Sequence, residues 1–258
     1  MTDAMIIDTN VNFSSWPFRH LPGSEPAESA TALRRQKVSQ AWVGTIDGIF
    51  HRDVSGANAR LAEACQAAAS LFIPFGSINP KLPDWQEDLR RCCEVHRMRG
   101  IRLHPNYHGY KLSDAVFREL VRLAAERKIV VQLALCMEDE RTQHPLMRVP
   151  PVDLLPLSAI VQEAPNLRLQ VLNCFPQLKF EQLQLLASST QVSFEISMAE
   201  GIGVVGRWIQ QLGLHRIVFG SHYPLFSLES AFLKLQEAGL DDSQRKAVLQ
   251  DNAMKLLA

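Results

Sequence analysis

No stretch of the 258-residue sequence approaches the ~20 consecutive apolar residues that a membrane-spanning helix needs. The opening residues, Met1 to Asp8, hold no basic segment followed by an apolar run, so no secretory signal is expected. Cysteine is sparse, at five: Cys65, Cys92, Cys93, Cys136 and Cys174. The odd count and the lack of any Cys-x-x-Cys pair argue against a disulfide framework and a cysteine-built zinc centre. Reduced thiols in a cytoplasmic protein are the expectation. An excess of one charge is missing too, with 27 basic residues balanced by 27 acidic ones. That removes the basic footprint of a nucleic-acid binder and leaves a neutral or anionic small molecule as the expected partner, with no membrane role and with self-association left open. No repeat in residue identity and no linker-like low-complexity segment occurs. No Gly-x-Gly-x-x-Gly follows an early strand, which counts against a doubly wound dinucleotide-binding sheet.

What the chain does have is 47% hydrophobic residues, enough for a substantial core, arranged with a clear rhythm. Short apolar runs occur at Met5–Ile7, Ala41–Val43, Leu71–Ile78, Gly100–Leu103, Ile129–Leu135, Leu167–Leu172, Val192–Ile196 and Ile217–Phe219. Their length and branched content suit parallel strands covered on both faces. Helical spacing lies between them. In Asp114–Arg127 the residues Phe117, Leu120, Val121 and Ala124 mark one apolar face, and Ser113 is placed as the N-cap. Asn58–Ala69, Trp85–Val95, Leu154–Glu163, Phe180–Leu186, Val204–Leu212 and Leu228–Ala238 read similarly, and Ser243–Leu257 reads as a terminal helix. Eight strands alternating with helices in about 250 residues specify a (β/α)8 TIM barrel, α/β in class, as a single domain spanning 1–258 with a C-terminal helix.

Two connections are long. Phe13–Glu28 carries Trp16, Pro17, Phe18, Arg19, His20 and Pro22. Met137–Pro151 carries Glu138, Asp139, Arg141, His144 and three prolines. Both follow strands, so both belong to the face where barrel enzymes place their active sites, and both are expected to form lids or substrate walls. Polar residues gather at the same strand ends: Asp8, Asn10 and Asn12 on the first, Arg102 and His104 on the fourth, Gln132 and then Glu138 and Asp139 on the fifth. Asn173 ends the sixth, Glu195 the seventh, and Ser221, His222 and Tyr223 the eighth. Tyr107, His108 and Tyr110 form an aromatic turn able to stack on a planar ligand.

Four segments, in order, resemble the amidohydrolase-related (amidohydrolase 2) family. Ile7-Asp8-Thr9-Asn10-Val11-Asn12 is similar to its first strand, Gly100-Ile101-Arg102-Leu103-His104-Pro105 to its fourth, and Phe219-Gly220-Ser221-His222-Tyr223-Pro224 to its eighth. Asn252-Ala253-Met254-Lys255-Leu256-Leu257 is similar to its closing helix. The resemblance implies a metal-dependent hydrolase, or less often a decarboxylase, with a divalent ion such as zinc activating water. Two histidines one residue apart on a strand face the same way and so make a paired ligand. Here Asn10 and Asn12 stand at those two positions, Asn173 stands in place of a sixth-strand histidine, and His222 replaces an eighth-strand aspartate. Amide oxygens are poor zinc ligands, so no cofactor is expected. A relocated site would have to use His104, His222 and Glu138.

The function expected from these residues is hydrolysis of a small carbonyl compound, a lactone or an amide. His222 is placed as general base, Arg102 and His104 as substrate or oxyanion contacts, and Glu138 or Asp139 as orienting carboxylates. Asn10, Asn12, Asn173, Arg141, His144 and Tyr107 are placed as substrate-binding residues. The alternative is a catalytically retired barrel that binds a ligand or a protein. The two differ in whether the rim groups pair only among themselves or face an open pocket.

Overall fold

The computed structural model describes residues 5–174, 183–184, 186 and 192–258. Its eight parallel strands run in the order of the chain around one sheet: β1 (Ile6–Phe13), β2 (Val38–Thr45), β3 (Phe72–Ser77), β4 (Gly100–Leu103), β5 (Val130–Ala134), β6 (Arg168–Leu172), β7 (Val192–Glu195) and β8 (Ile217–Val218). The ring closes on short contacts between its ends. Thr9 N donates to Phe219 O at 3.0 Å, and Asn12 N to Tyr223 O at 2.8 Å. No helix among the described residues is long and apolar enough to cross a membrane.

All eight expected strands are present. β1 runs six residues past the apolar run that ends at Ile7 and carries Asp8, Asn10 and Asn12, the first strand's expected polar residues, all of them buried. Helix α1 (Pro26–Arg35) begins inside the first long connection, and the short helix α2 (Asp47–Phe50) follows β2. The first opens with Pro26, whose fixed φ and missing N–H suit a first turn. Beyond them come α3 (Val54–Gln66), α4 (Trp85–Arg90), α5 (Pro105–His108), α6 (Ala115–Glu126), α7 (Leu157–Glu163), α8 (Val204–Leu212) and α9 (Leu228–Glu237). The cap of α6 is Asp114 and not Ser113. The terminal helix is broken by a π-turn at Ala247–Asp251 into α10 (Asp242–Lys246) and α11 (Asn252–Leu257). It begins with a capping box between Asp241 and Gln244. The helix expected over 180–186 falls largely outside the described residues.

Outward-facing strand residues, among them Ile101, Leu103, Val131, Leu133, Leu169, Val171 and Phe194, pack with Phe117, Leu120 and Leu157 of the helices into the main core. The barrel interior is layered differently. Ile7, Trp42, Phe75, Val130 and Val218 make an apolar floor. Above it sits a polar belt set by register: Ser77 pairs with Arg102, Arg102 with Gln132, Gln132 with Gln170, and Gln170 with Ser193, so five polar residues of neighbouring strands share one level. An apolar roof closes the mouth, built of Trp16, Leu21, Ile46, Ile49, Met137, Leu172 and Leu225.

Thr9 joins belt to closure. Its Oγ1 donates to Phe219 O at 2.7 Å and accepts from Gln170 Nε2 at 2.6 Å. Thr9→Val keeps the shape and leaves an N–H of Gln170 Nε2 unpaired in a buried place, while Phe219 O keeps its bond from Thr9 N, at a cost of about 1–3 kcal/mol. Urea unfolding of this variant is expected to show a loss of that size with unchanged m-value.

Candidate active site

Arg102, on β4, is about 1% exposed and organises the belt. Its Nε donates to Gln132 Oε1 at 2.8 Å. Its Nη1 donates to Val11 O at 2.9 Å and to Asn12 Oδ1 at 2.7 Å, and its Nη2 to Trp42 O at 3.3 Å. Four of the five N–H groups of a guanidinium are thus taken up. Burial pulls its pKa down to about 9, against the pull of Glu195 and Asp8, so it is charged at neutral pH. The fit is tight on one side: a Cβ at Gly44 would lie 2.7 Å from Nη1.

Because a guanidinium only donates, it fixes the direction of everything bonded to it. Asn12 must present Oδ1 to Arg102, so its Nδ2 faces His222 Nδ1 at 3.3 Å. Nδ1 then accepts, and the proton of His222 sits on Nε2, which donates to Met137 O at 2.9 Å. Burial holds His222 neutral, with a pKa down at about 3. On the other side Gln132 Nε2 donates to Gln170 Oε1 at 2.8 Å and to Thr9 O at 2.7 Å. Arg102 therefore lies inside the belt as a positioning cation, and His222 ties the eighth strand to the start of the second long loop.

Asn10 Nδ2 donates to Asn173 Oδ1 at 2.8 Å, and Asn173 Nδ2 to Cys136 O at 2.6 Å. Asn173 and His222 both have φ near +57° (56° and 58°), a left-handed conformation that disfavours side chains with a Cβ. They lie beyond the ends of β6 and β8, with β7 between, and strained residues of this kind cluster at functional sites. Glu195 accepts from Asn173 N at 2.5 Å, Ser197 N at 2.7 Å and Ser197 Oγ at 2.7 Å. Asp8 Oδ1 accepts from Ser221 N and Asn10 N at 3.0 and 3.1 Å, while Ser221 Oγ lies 2.5 Å from Oδ2.

His104 stands apart. It is about 1% exposed at the end of β4, and neither ring nitrogen has a protein partner. Burial, and then His108, Arg102 and His222 around it, push its pKa well below the usual histidine range. Its ring meets His108 edge-on at 6.0 Å. Asn10 Oδ1 is also buried and unpartnered.

The two long loops meet over the mouth. Arg19 of the first pairs with Glu138 of the second, and Phe18 stacks on His144 with centroids 5.6 Å apart. Tyr107 packs edge-on against Trp16 and Phe50 within the roof. Asp139 pairs with Arg141 at the rim, and that pair lowers the Asp139 pKa. Arg141 is 76% exposed and reaches Glu200 at 3.5 Å. The expected residues therefore divide into three places: Asn10, Asn12, Arg102, His104, Asn173 and His222 inside the barrel, Glu138, His144 and Tyr107 in the loop junction and roof, and Asp139 with Arg141 at the outer rim. Thr9, Gln170, Ser197 and the carbonyl of Met137 complete the network. The side chains among them show in the sequence only as polar residues interrupting apolar strands.

The family model described as Amidohydrolase matches residues 22–258, and the chain belongs to that family. No curated protein matches the sequence. Among solved structures, 5-carboxyvanillate decarboxylase from Sphingomonas paucimobilis matches 99% of this chain and 99% of its own, with a TM-score of 0.74 and 12% identity. A dihydroxybenzoic acid decarboxylase from Polaromonas sp. JS666, with bound manganese and 2-nitroresorcinol, matches 98% of this chain and 96% of its own (TM-score 0.73, 12% identity). A 5-carboxyvanillate decarboxylase from Novosphingobium aromaticivorans, complexed with manganese and 4-hydroxy-3-methoxy-5-nitrobenzoic acid, matches 99% and 96% (TM-score 0.73, 15% identity). At these identities the likeness is one of fold.

These structures correct the expectation of no cofactor. Barrels of this fold are crystallised with manganese, which supports a divalent ion in place of none. In the present arrangement, however, no group of three or more His, Cys, Asp or Glu side chains among the described residues is disposed to hold an ion. The relocated set fails on its partners: Glu138 is engaged by Arg19, and both nitrogens of His222 are in use.

Two measurements probe this network. Arg102→Met strips hydrogen bonds from Gln132, Asn12 and two carbonyls, and is expected to destabilise by about 3–5 kcal/mol, read by chemical denaturation. Asp8 tests the pH response. Burial raises its pKa from 3.8 to about 7, so between those values the folded chain keeps a proton that the unfolded chain has lost, and stability falls as pH rises through the window. Asp8→Asn, which imitates the protonated acid, is expected to gain on the wild type steadily from about pH 4 to about pH 7, and an unchanging difference would contradict the raised pKa.

Proposed function

We propose that this barrel is an enzyme acting on a small carbonyl compound, a lactone or an amide, with His104 as the residue that carries the proton. The supporting observation is the state of that ring: buried, neutral, free at both nitrogens, and close to a buried cation. Other imidazole and guanidinium groups of the interior are committed to protein partners. In this reading water attacks the carbonyl carbon and gives its proton to His104, which returns it to the leaving oxygen or nitrogen. The charge of Arg102 favours the negative charge that develops on the carbonyl oxygen, more strongly in a dry site than in water. Asn10 Oδ1 accepts from a donor on the substrate. His222, Asn12 and Asn173 hold the frame.

Arg19–Glu138 and Phe18–His144 close the loops over the substrate, and their release admits it. Asp139 and Arg141 stiffen the rim of the second loop. A decarboxylation, the reaction type named for the matched structures, would instead break the bond to a carboxylate, release CO2 and place a proton from the His104 N–H on the carbon left behind, the ring regaining its proton from water. The second reading, a barrel that binds without turnover, draws on the sealed mouth: Asn10, Asn12, Arg102, His104, Glu138 and His222 are all 3% exposed or less.

The test is a panel of lactones, amides and hydroxylated aromatic carboxylates, assayed with manganese supplied and after chelation. Turnover of one class is expected, falling about 10²-fold or more in His104→Gln at unchanged melting temperature. Because His104 stays neutral to well below 6.5, the acid limb of the wild-type pH profile is expected beneath that value. Ligand binding without turnover under either metal condition decides for the second reading.

A further inference from the structure

The opposite end of the barrel holds a feature that the mouth does not explain. A cleft of about 370 Å³ opens among the entries of β4, β5 and β6, and it is lined by Arg97, Arg99, Arg127, Lys128 and Arg168. These cations come from three segments: the turn before β4, the turn before β5, and the first residue of β6. The pairing order makes the three strands neighbours, so the turns lie side by side. No Asp or Glu side chain lines the cleft.

Helix ends account for part of this only. Arg127 and Lys128 follow the C-terminus of α6, where the helix dipole favours a cation. That does not bring in Arg168 from a strand or Arg99 from another turn. None of the five pairs with a carboxylate side chain among the described residues. Arg99 donates to Leu257 O at 2.6 Å, Arg127 to Leu123 O at 3.1 Å, and Arg168 to Lys128 O at 3.1 Å, which leaves N–H groups on every guanidinium. Arg97 and Lys128 are held at φ 53° and 56° at the corners of their turns. The overall charge is zero, so this gathering is local, and its members repel one another until an anion enters.

We propose that this cleft binds a small, multiply charged phosphate compound of the pyrophosphate type. Five cationic side chains with no acidic side chain among them suit the three to four negative charges of such a group. Four guanidinium forks on three sides suit tetrahedral oxyanions, which present oxygens in several directions. The volume lies within the range of small-ligand pockets.

The experiment is calorimetric titration of the whole chain with sodium pyrophosphate at a fixed ionic strength of about 0.15 M, where weak surface attraction is screened. Saturable one-to-one binding is expected, weakened at least about tenfold in Lys128→Gln/Arg168→Gln with its melting temperature unchanged. Arg97→Gln, on an exposed side chain, is a second variant expected to weaken binding should the double variant fold poorly. Citrate, matched in charge, is expected to bind more weakly. The proposal is overturned by absence of saturable binding, by equal affinity in the variants, by equal binding of citrate, or by binding seen only with duplex DNA or anionic vesicles. No turnover is measured, so the outcome is independent of the chemistry at the mouth.

Discussion

A single guanidinium, fully buried and bonded to no carboxylate, sets the order of this barrel's interior. A charge in such a place is tolerated only when its hydrogen bonds are met with good geometry, and Arg102 meets them with Gln132, Asn12 and two backbone carbonyls. Since it can only donate, every amide in contact with it has one permitted orientation. That choice passes through Gln132 to Gln170 and Thr9 on one side, and through Asn12 to His222 and Met137 on the other. Met137 begins the second long loop. The position of that loop over the mouth thus depends on the tautomer of a histidine, and the tautomer on an arginine two bonds away.

This order explains why amides suit the altered strand positions. An amide donates and accepts at once, so it can sit within a directed chain of bonds. Asn12 does so between Arg102 and His222, and Asn173 does so between Asn10 and Cys136. The chain of bonds leaves His104 outside it. A ring with two free nitrogens in a water-poor place is unusual, because buried polar groups are nearly always paired. Its neighbours bear positive or potentially positive charge, so an anionic group placed beside it would be welcomed by Arg102 and would draw the ring's pKa upward.

Much of the fold could be read from the chain. The branched apolar runs marked every strand, since parallel strands are covered on both faces. The loops of interest were marked by length and by where they follow strands. The belt was harder to see. Gln132 and Gln170 stand in apolar strands thirty-eight residues apart, and only register puts them at one level. Arg102 carried no local sign that it would bond to the interior and not to a ligand: the same side chain suits a substrate clamp, and the distinction lies in four acceptors drawn from distant strands. The meeting of Arg19 with Glu138 was hidden for the same reason, being a contact between two loops joined by no pattern. α1 was missed because Trp16, Pro17 and Pro22 made its approach look irregular, although Pro26 marks a helix start.

The charge balance of the interior follows from the same geometry. Arg102 brings one positive charge, and Asp8 and Glu195 are two buried acids whose pKa values are both raised, first of all by burial. Were both ionised, the interior would carry net negative charge in a poorly solvated place. Each is met by donors at both oxygens. Glu195 accepts from Asn173 N and Ser197 Oγ at Oε1, and from Ser197 N at Oε2. Asp8 accepts from Ser221 N and Asn10 N at Oδ1, and the hydroxyl of Ser221 donates to Oδ2. These bonds favour the charged forms, while burial, the larger cause, disfavours them. The charge of Glu195 adds to the rise at Asp8, whose pKa reaches about 7, so Asp8 is the acid that keeps its proton up to that value. Both acids hold up the charge of Arg102 against burial, which lets a cation remain in the barrel without a salt bridge.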